Sequence, residues 1–298
     1  MRRLSMLLLA ALLSACAAPP PAPTSPAPPP VPTPVPVPKP PLKIALVLGG
    51  GAARGFAHIG VIKALEAQGI VPDLVVGTSA GSVVAALYAS GMNGFDLQKL
   101  ALQMEEDMVA DWTLPNRGVL KGEALQDFIN QKVKNLPIQK MPKPLGVVAT
   151  DLQRGDMVLF RQGNTGMAVR ASSAVPGLFQ PVEISGRDYV DGGLTSPVPV
   201  QSARAMGADF AIAVDISNVV RREKLTSTLD VLLQTFAIMG HAISSHELMD
   251  ADVVIRPKTA GMSSTSFEDR NLAILEGEKA AAAIMPELKA KLARARER

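Results

Sequence analysis

Residues 43–82 read KIALVLGGGAARGFAHIGVIKALEAQGIVPDLVVGTSAGS, and this stretch decides the fold. Lys43 to Leu48 is a short apolar run of the kind that forms a buried strand. Phe56 to Gln68 repeats its apolar residues at helical spacing and stops at Gly69. Leu74 to Val76 is a second β-branched run. The order is strand, helix, strand, with a glycine-rich turn after each strand. Downstream, helical patterns follow at about Ala80 to Ala89, Asp96 to Met108 and up to Val133. Strands are expected at Gly146 to Ala149, Met157 to Phe160, Phe179 to Ile184 and near Tyr189, with a helix at about Thr165 to Ser173. Residues 210–214 and 252–255 read as late central strands with a long helix, Leu225 to Met249, between them. Such alternation predicts an α/β fold with a largely parallel sheet covered by helices on both faces.

The two glycine turns carry the chemistry. Gly49-Gly50-Gly51-Ala52-Ala53-Arg54-Gly55 leaves the first strand and opens a helix. Backbone N–H groups there face no Cβ and lie beside the positive end of a helix, which suits a negative oxygen. A dinucleotide loop, an oxyanion hole and a plain structural turn all fit that description. The dinucleotide pattern fails in every frame, no Gly-Lys-Ser/Thr follows, and Asp73 stands before the second strand rather than after it. Gly77-Thr78-Ser79-Ala80-Gly81 after the second strand has the Gly-x-Ser-x-Gly form of a nucleophile elbow, in which small neighbours tolerate a strained turn that exposes a serine hydroxyl. Ser79 would equally serve as a helix N-cap, but a plain cap requires neither glycine.

A nucleophilic serine needs a base. Asp191-Gly192-Gly193 follows the strand-like Tyr189-Val190; alone it reads as a turn, and beside the other motifs it offers a carboxylate. His241 and His246 follow Asp191 in the order Ser, Asp, His of α/β-hydrolases, yet both fall within the long helical stretch and, five apart, do not share a face. His58 reads as a packing or hydrogen-bonding residue of the first helix.

Gly-Gly-Gly-x-x-Arg-Gly, Gly-Thr-Ser-Ala-Gly and Asp-Gly-Gly, in that order and at those separations, resemble the patatin-like phospholipase family. Phe56 to Val61 and Ala171 to Phe179 resemble its bacterial branch, and the likeness runs from about Ile44 to Val200, continuing through Gly207 to Asp215. The resemblance implies a three-layer α/β/α sandwich with a mostly parallel central sheet. It implies Ser79 as nucleophile, Asp191 as its partner, and the N–H groups of Gly50, Gly51 and Ala52 as the oxyanion hole; Gly49, Arg54, Gly55, Gly77, Gly81, Gly192 and Gly193 complete the motifs. It further implies a lipid ester substrate and no cofactor or metal. Ala52 departs from the family's usual glycine, and a negative φ is expected there, since an alanine tolerates little else.

Composition agrees. One cysteine and three histidines in 298 residues exclude a disulfide scaffold and leave little for a metal site. Residues 19–41 hold 14 of the 25 prolines, so the chain divides into a proline tract and a domain from residue 42 to 298. Arg2, Arg3 and Lys39 are the only charges before residue 42; without them 27 basic side chains face 27 acidic ones, which argues against a nucleic-acid partner. The basic tail Lys289 to Arg298 reads as a solvated helix end.

Met1 to Arg3 and the apolar run Leu4 to Leu13 form a signal peptide, residues 1–15, because ten residues rise only about 15 Å as a helix. Leu13-Ser14-Ala15-Cys16 resembles a lipobox, which makes Cys16 a lipid attachment point. Without aspartate at position 17, that resemblance implies the outer membrane of a bacterial envelope. Residues 16–41 then form the lipidated cysteine and a polyproline spacer, reaching up to ~70 Å at about 3.1 Å per residue. A ligand for a proline-binding module is the other reading of the tract. Met104, Met108, Val109, Trp112 and Leu114 fit either a lid or membrane-contact edge or a core helix and its loop. The functional expectation is a membrane-anchored lipid acyl hydrolase; the alternative is a catalytically silent envelope lipoprotein that binds lipid or a protein partner.

Overall fold

Strand β1 (Ile44–Leu48) lies mid-sheet with all five residues buried. The computed structural model describes residues 41–105, 120–217, 227–262 and 266–297. Cys16, the leader, the proline tract and Met108 to Leu114 lie outside them. From Pro41 onward the chain forms one compact unit.

On one side of β1 runs β2 (Leu74–Thr78), followed by β3 (Leu145–Asp151); on the other run β7 (Phe210–Val214) and β8 (Val253–Ile255), all parallel. Three strands break the pattern. β4 (Met157–Phe160) and β6 (Arg187–Asp191) both pair antiparallel with β3, and β5 (Val182–Ile184) pairs antiparallel with β6. The sheet is therefore mixed, in the order β5-β6-β3-β2-β1-β7-β8 with β4 also on β3. Residues 253–255, expected in a central strand, form a three-residue strand that pairs only with β7. The strand expected from Phe179 begins only at Val182, because Pro181 supplies no ladder donor and Phe179 is used in an isolated bridge to Leu120.

Alternation along the strands sorts the layers. Ile44, Leu46 and Leu48 face a core built by α1 (Phe56–Ala67), α2 (Ala80–Ala89), α3 (Gly94–Gln103), α4 (Glu123–Lys132), α5 (Thr165–Ser172) and the C-terminal α8 (Arg270–Glu297). Ala45 and Val47 face Val200 and Ala203 of α6 (Val200–Ala205) and Leu248, which follows α7 (Thr228–Glu247). The result is the expected three-layer sandwich, thick on one face and thin on the other. Helix α3 starts two residues before its expected position because the Asn93 side chain accepts from the N–H groups of Phe95 and Asp96. The basic tail, as far as Glu297, belongs to α8 and is not wholly solvated, since Leu292 is buried.

One detail of β3 positions everything that follows. Val148 pairs with Thr78 on one edge and Leu159 on the other; the next residue, Ala149, pairs with Asp191 and Val158. β4 thus occupies one edge of β3, while β2 and β6 share the opposite edge end to end. The last residue of β2 and the last residue of β6 meet on consecutive rungs.

Candidate active site

The turn after β1 is held from several sides. The N–H of Gly49 donates to the Val214 carbonyl and that of Gly50 to the Pro197 carbonyl, each at 3.0 Å. Buried His58 on α1 donates from Nε2 to the Gly49 carbonyl at 2.8 Å, and its burial keeps the ring neutral. Burial pushes it down to about 4 against the pull of the Gly49 carbonyl and Asp215. Arg54 Nε donates to the Gly51 carbonyl at 3.0 Å. These anchors turn the carbonyls of Gly49 and Gly51 toward protein donors. The N–H groups of Gly51 and Ala52 make no hydrogen bond to another described residue. The Gly50 N–H, expected as a third oxyanion donor, is already taken by Pro197.

Ala52 has a φ of +53°, not the negative value expected. The left-handed region costs an L-residue roughly 1–2 kcal/mol, and the Gly49, Gly51 and Arg54 anchors on either side hold it there. Ala52→Gly removes that strain and adds chain entropy of about 0.4–1 kcal/mol to the unfolded state. The variant should melt at the same temperature or slightly higher, while Ala52→Val should lose more than ~1 kcal/mol. Thermal denaturation of the two variants beside the parent checks the backbone at this position; a marked fall for the glycine variant would contradict it.

The turn after β2 is strained. Ser79 has φ +53° and ψ −127°, and its side chain makes no capping bond to α2. The N-cap reading therefore fails. Both flanking glycines are sterically required: a Cβ on Gly77 would lie 2.4 Å from the Gly81 carbonyl oxygen, and one on Gly81 would lie 2.1 Å from that of Leu48. The Ser79 N–H is fixed by Ser172 Oγ at 2.9 Å, and that hydroxyl donates to the Val148 carbonyl at 2.5 Å. A Cβ on Gly50 would come 3.3 Å from Ser79 Cβ, so the first glycine turn runs directly beside this serine.

The partner of the half-exposed Ser79 hydroxyl is Asp191. Ser79 Oγ donates to Asp191 Oδ2 at 2.7 Å, and Gly193 N–H donates to Oδ1 at 2.7 Å. Asp191 is 1% exposed. Burial pushes its carboxyl up to about 6 although both hydrogen bonds pull it down. Gly192 is required as well, since a Cβ there would strike the Val148 carbonyl at 2.3 Å. His241 and His246 sit exposed on α7.

Ser79, Asp191 and the Gly49–Gly55 turn thus converge from three parts of the chain. Sequence reasoning missed Ser172, which lies in the Ala171 to Phe179 stretch without any sign of its bond. It also missed Glu247, whose carboxylate accepts from Ser196 Oγ and, at 2.8 Å, from Val198 N–H; burial pushes it up to about 7. Thr78 Oγ1 donates to the Ser196 carbonyl at 2.8 Å, which ties the same loop to the end of β2.

Residues 46–204 match the family model described as patatin-like phospholipase. The chain belongs to that family. An uncharacterized NTE family protein of Mycobacterium tuberculosis is 37% identical over 177 residues, covering 59% of this chain and 49% of that protein. Patatin-like phospholipase domain-containing protein 6 of Mus musculus is 37% identical over 183 residues, 59% of this chain and 14% of the mouse protein. The chain spans about half the length of the mycobacterial relatives it matches. Among solved structures, VipD from Legionella pneumophila superposes with a TM-score of 0.59 over 83% of this chain and 67% of that one, at 16% identity, and shares the patatin-like fold. All three motifs, the two glycine turns and Asp191-Gly192-Gly193, lie inside the family match.

Proposed function

We propose that the protein is a lipid acyl hydrolase of the phospholipase A or esterase type, working through a Ser79–Asp191 dyad and an acyl-enzyme. The observation that carries this reading is the 2.7 Å bond from a strained, half-exposed serine hydroxyl to a buried aspartate. Family membership supports the lipid substrate.

In the first half-reaction the Asp191 carboxylate takes the Ser79 proton as Oγ attacks the ester carbonyl. The N–H groups of Gly51 and Ala52, beside the N-terminus of the helical turn that leads into α1, hold the tetrahedral oxyanion; each such donor is worth ~3 kcal/mol of barrier. The oxyanion collapses, Asp191 returns the proton to the departing alkoxide, and an alcohol or lysolipid leaves. Water, deprotonated by the same carboxylate, then attacks the acyl-enzyme and releases the fatty acid and Ser79. A carboxyl near 6 is a stronger base than a free aspartate near 3.8, yet still far below a serine hydroxyl, so proton transfer is concerted with attack.

Residue Cys16 is proposed as the lipid anchor to the bacterial envelope, with residues 19–41 as the spacer. A serine-directed fluorophosphonate followed by peptide mass mapping tests the enzyme reading. A single stable adduct on Ser79 is expected. Folded protein that stays unlabelled would instead support a silent lipid- or protein-binding lipoprotein.

A further inference from the structure

Helix α7 stands apart from the main helical layer. Among the described elements it packs chiefly on the Gly192–Leu194 turn and on the short helical turn Leu248–Asp250 that follows it. The contact with the first of these is close: a Cβ on Gly193 would lie 3.1 Å from Phe236 Cζ, and one on Gly240 would lie 3.8 Å from the Gly193 carbonyl. Phe236, Gly240, Ile243 and Glu247 follow one another at three- and four-residue spacing, so they form the inward stripe, latched at its end by the Glu247 bonds to Ser196 and Val198.

The outward stripe carries four large apolar side chains, with Thr235 and His246 on the same face. Val231, Leu232, Ile238 and Met239 fall within about a third of the helix circumference, and each keeps 48 to 54% of its surface exposed. From Val231 to His246 the helix contains no Asp, Glu, Lys or Arg. An exposed row of large apolar side chains on a 20-residue helix marks a contact surface. No described helix is long and apolar enough to cross a membrane.

We propose that α7 is an interfacial helix: its outward stripe enters the acyl region of a phospholipid surface and brings the Ser79 opening against the lipid it cleaves. This rests on the lipid-hydrolase reading. Three observations select a lipid surface as the occupant. The inner stripe touches the turn that directly follows Asp191, so the helix that carries the exposed stripe is seated beside the site. The stripe carries no Asp, Glu, Lys or Arg, and its Thr235 hydroxyl is already bonded to the Val231 carbonyl, which keeps the cost of entering hydrocarbon small. The substrate class of the family is itself such a surface. Because no cation takes part, binding should be insensitive to salt and should not require anionic lipid.

The test uses the chain from Ala17 to Arg298, so that neither the apolar leader nor an attached lipid contributes, with and without Leu232→Gln/Ile238→Gln/Met239→Gln. Co-sedimentation with phosphatidylcholine vesicles, hydrolysis of vesicle phospholipid and hydrolysis of p-nitrophenyl acetate are measured in parallel. The proposal expects the triple variant to lose at least tenfold in vesicle binding and vesicle turnover, with turnover of the water-soluble ester within twofold of the parent. Unchanged vesicle binding overturns it. So does an equal loss on both substrates, which would place the role of α7 in holding the Gly192–Leu194 turn. A dimeric parent that the variant splits, with vesicle binding intact, would assign the stripe to a second copy and also overturn it. A parent inactive on both substrates defeats the hydrolase reading instead; co-sedimentation then still decides, with lost binding supporting the lipid contact and retained binding refuting it.

Discussion

Asp191→Asn is expected to lower ester hydrolysis by about 10²–10⁴-fold, the usual worth of a positioned general base, while the protein becomes more stable at neutral pH. The two effects share one cause. Burial raises the Asp191 carboxyl from 3.8 to about 6. A carboxyl raised in the folded state contributes stability that is present below 3.8 and is lost as pH rises through about 6. Above that pH the fold carries a buried charge that costs about 3 kcal/mol, at 1.36 kcal/mol per unit. Asparagine keeps the acceptor for Gly193 N–H and removes the charge. The variant should therefore melt a few degrees higher at pH 8, and the gain should vanish by pH 4. Activity of the parent should rise through about pH 6 and then level, since only the carboxylate accepts the Ser79 proton; residual activity of the variant should lack that inflection. Near-full hydrolysis by Asp191→Asn would sink the dyad, and loss of activity on replacing His241 or His246 would revive the triad.

Where each motif sits was legible because each is a local device. The Gly77, Ser79, Gly81 spacing encodes a turn that one strand and one helix are enough to build, and residues 80–89 form the helix expected there. What joins the devices was not legible. Asp191 reaches Ser79 because β2 and β6 share an edge of β3, a pairing that connects residues 78, 148, 149 and 191 and leaves no local trace. The same is true of Ser172, Pro197 and Glu247, whose bonds to the site span long stretches of chain. The sign of φ at Ala52 was misread for a related reason. A local rule prefers a negative value, and anchors supplied by Val214, Pro197 and Arg54 override it. The mixed character of the sheet escaped as well, since short strands such as Val182–Ile184 carry no mark of their direction.

The glycines that join α1 to α8 were equally silent, and they support the largest stability effect expected outside the site. A Cβ on Gly60 would fall 1.9 Å from the Ile274 carbonyl oxygen, and one on Gly277 would fall 2.0 Å from that of Ala57. In both cases the obstacle is backbone, so no rotamer change relieves it. Ala57, Ala273 and Ala281 are buried close to the crossing, and Lys63 pairs with Glu278 beside it. Gly277→Ala gains about 1 kcal/mol of helix propensity but forces the two helices apart along α1, whose His58 holds the Gly49 carbonyl. Overpacking of this kind typically costs 1–3 kcal/mol and more where backbone must move. Gly277→Val, larger still and without the propensity gain, should lose about 3 kcal/mol or more, which lowers Tm by roughly 10 °C in a domain of this size. Gly240→Ala is the matched control: it also lies within a helix, its Cβ would meet only an ordinary 3.8 Å contact, and it should raise Tm slightly. Fluorophosphonate labelling of Ser79 at a temperature where Gly277→Val remains folded extends the argument. A displaced α1 would loosen the Gly49–Gly55 turn and slow labelling, whereas a variant that melts and labels like the parent would show that the two backbones do not meet as closely as these distances require.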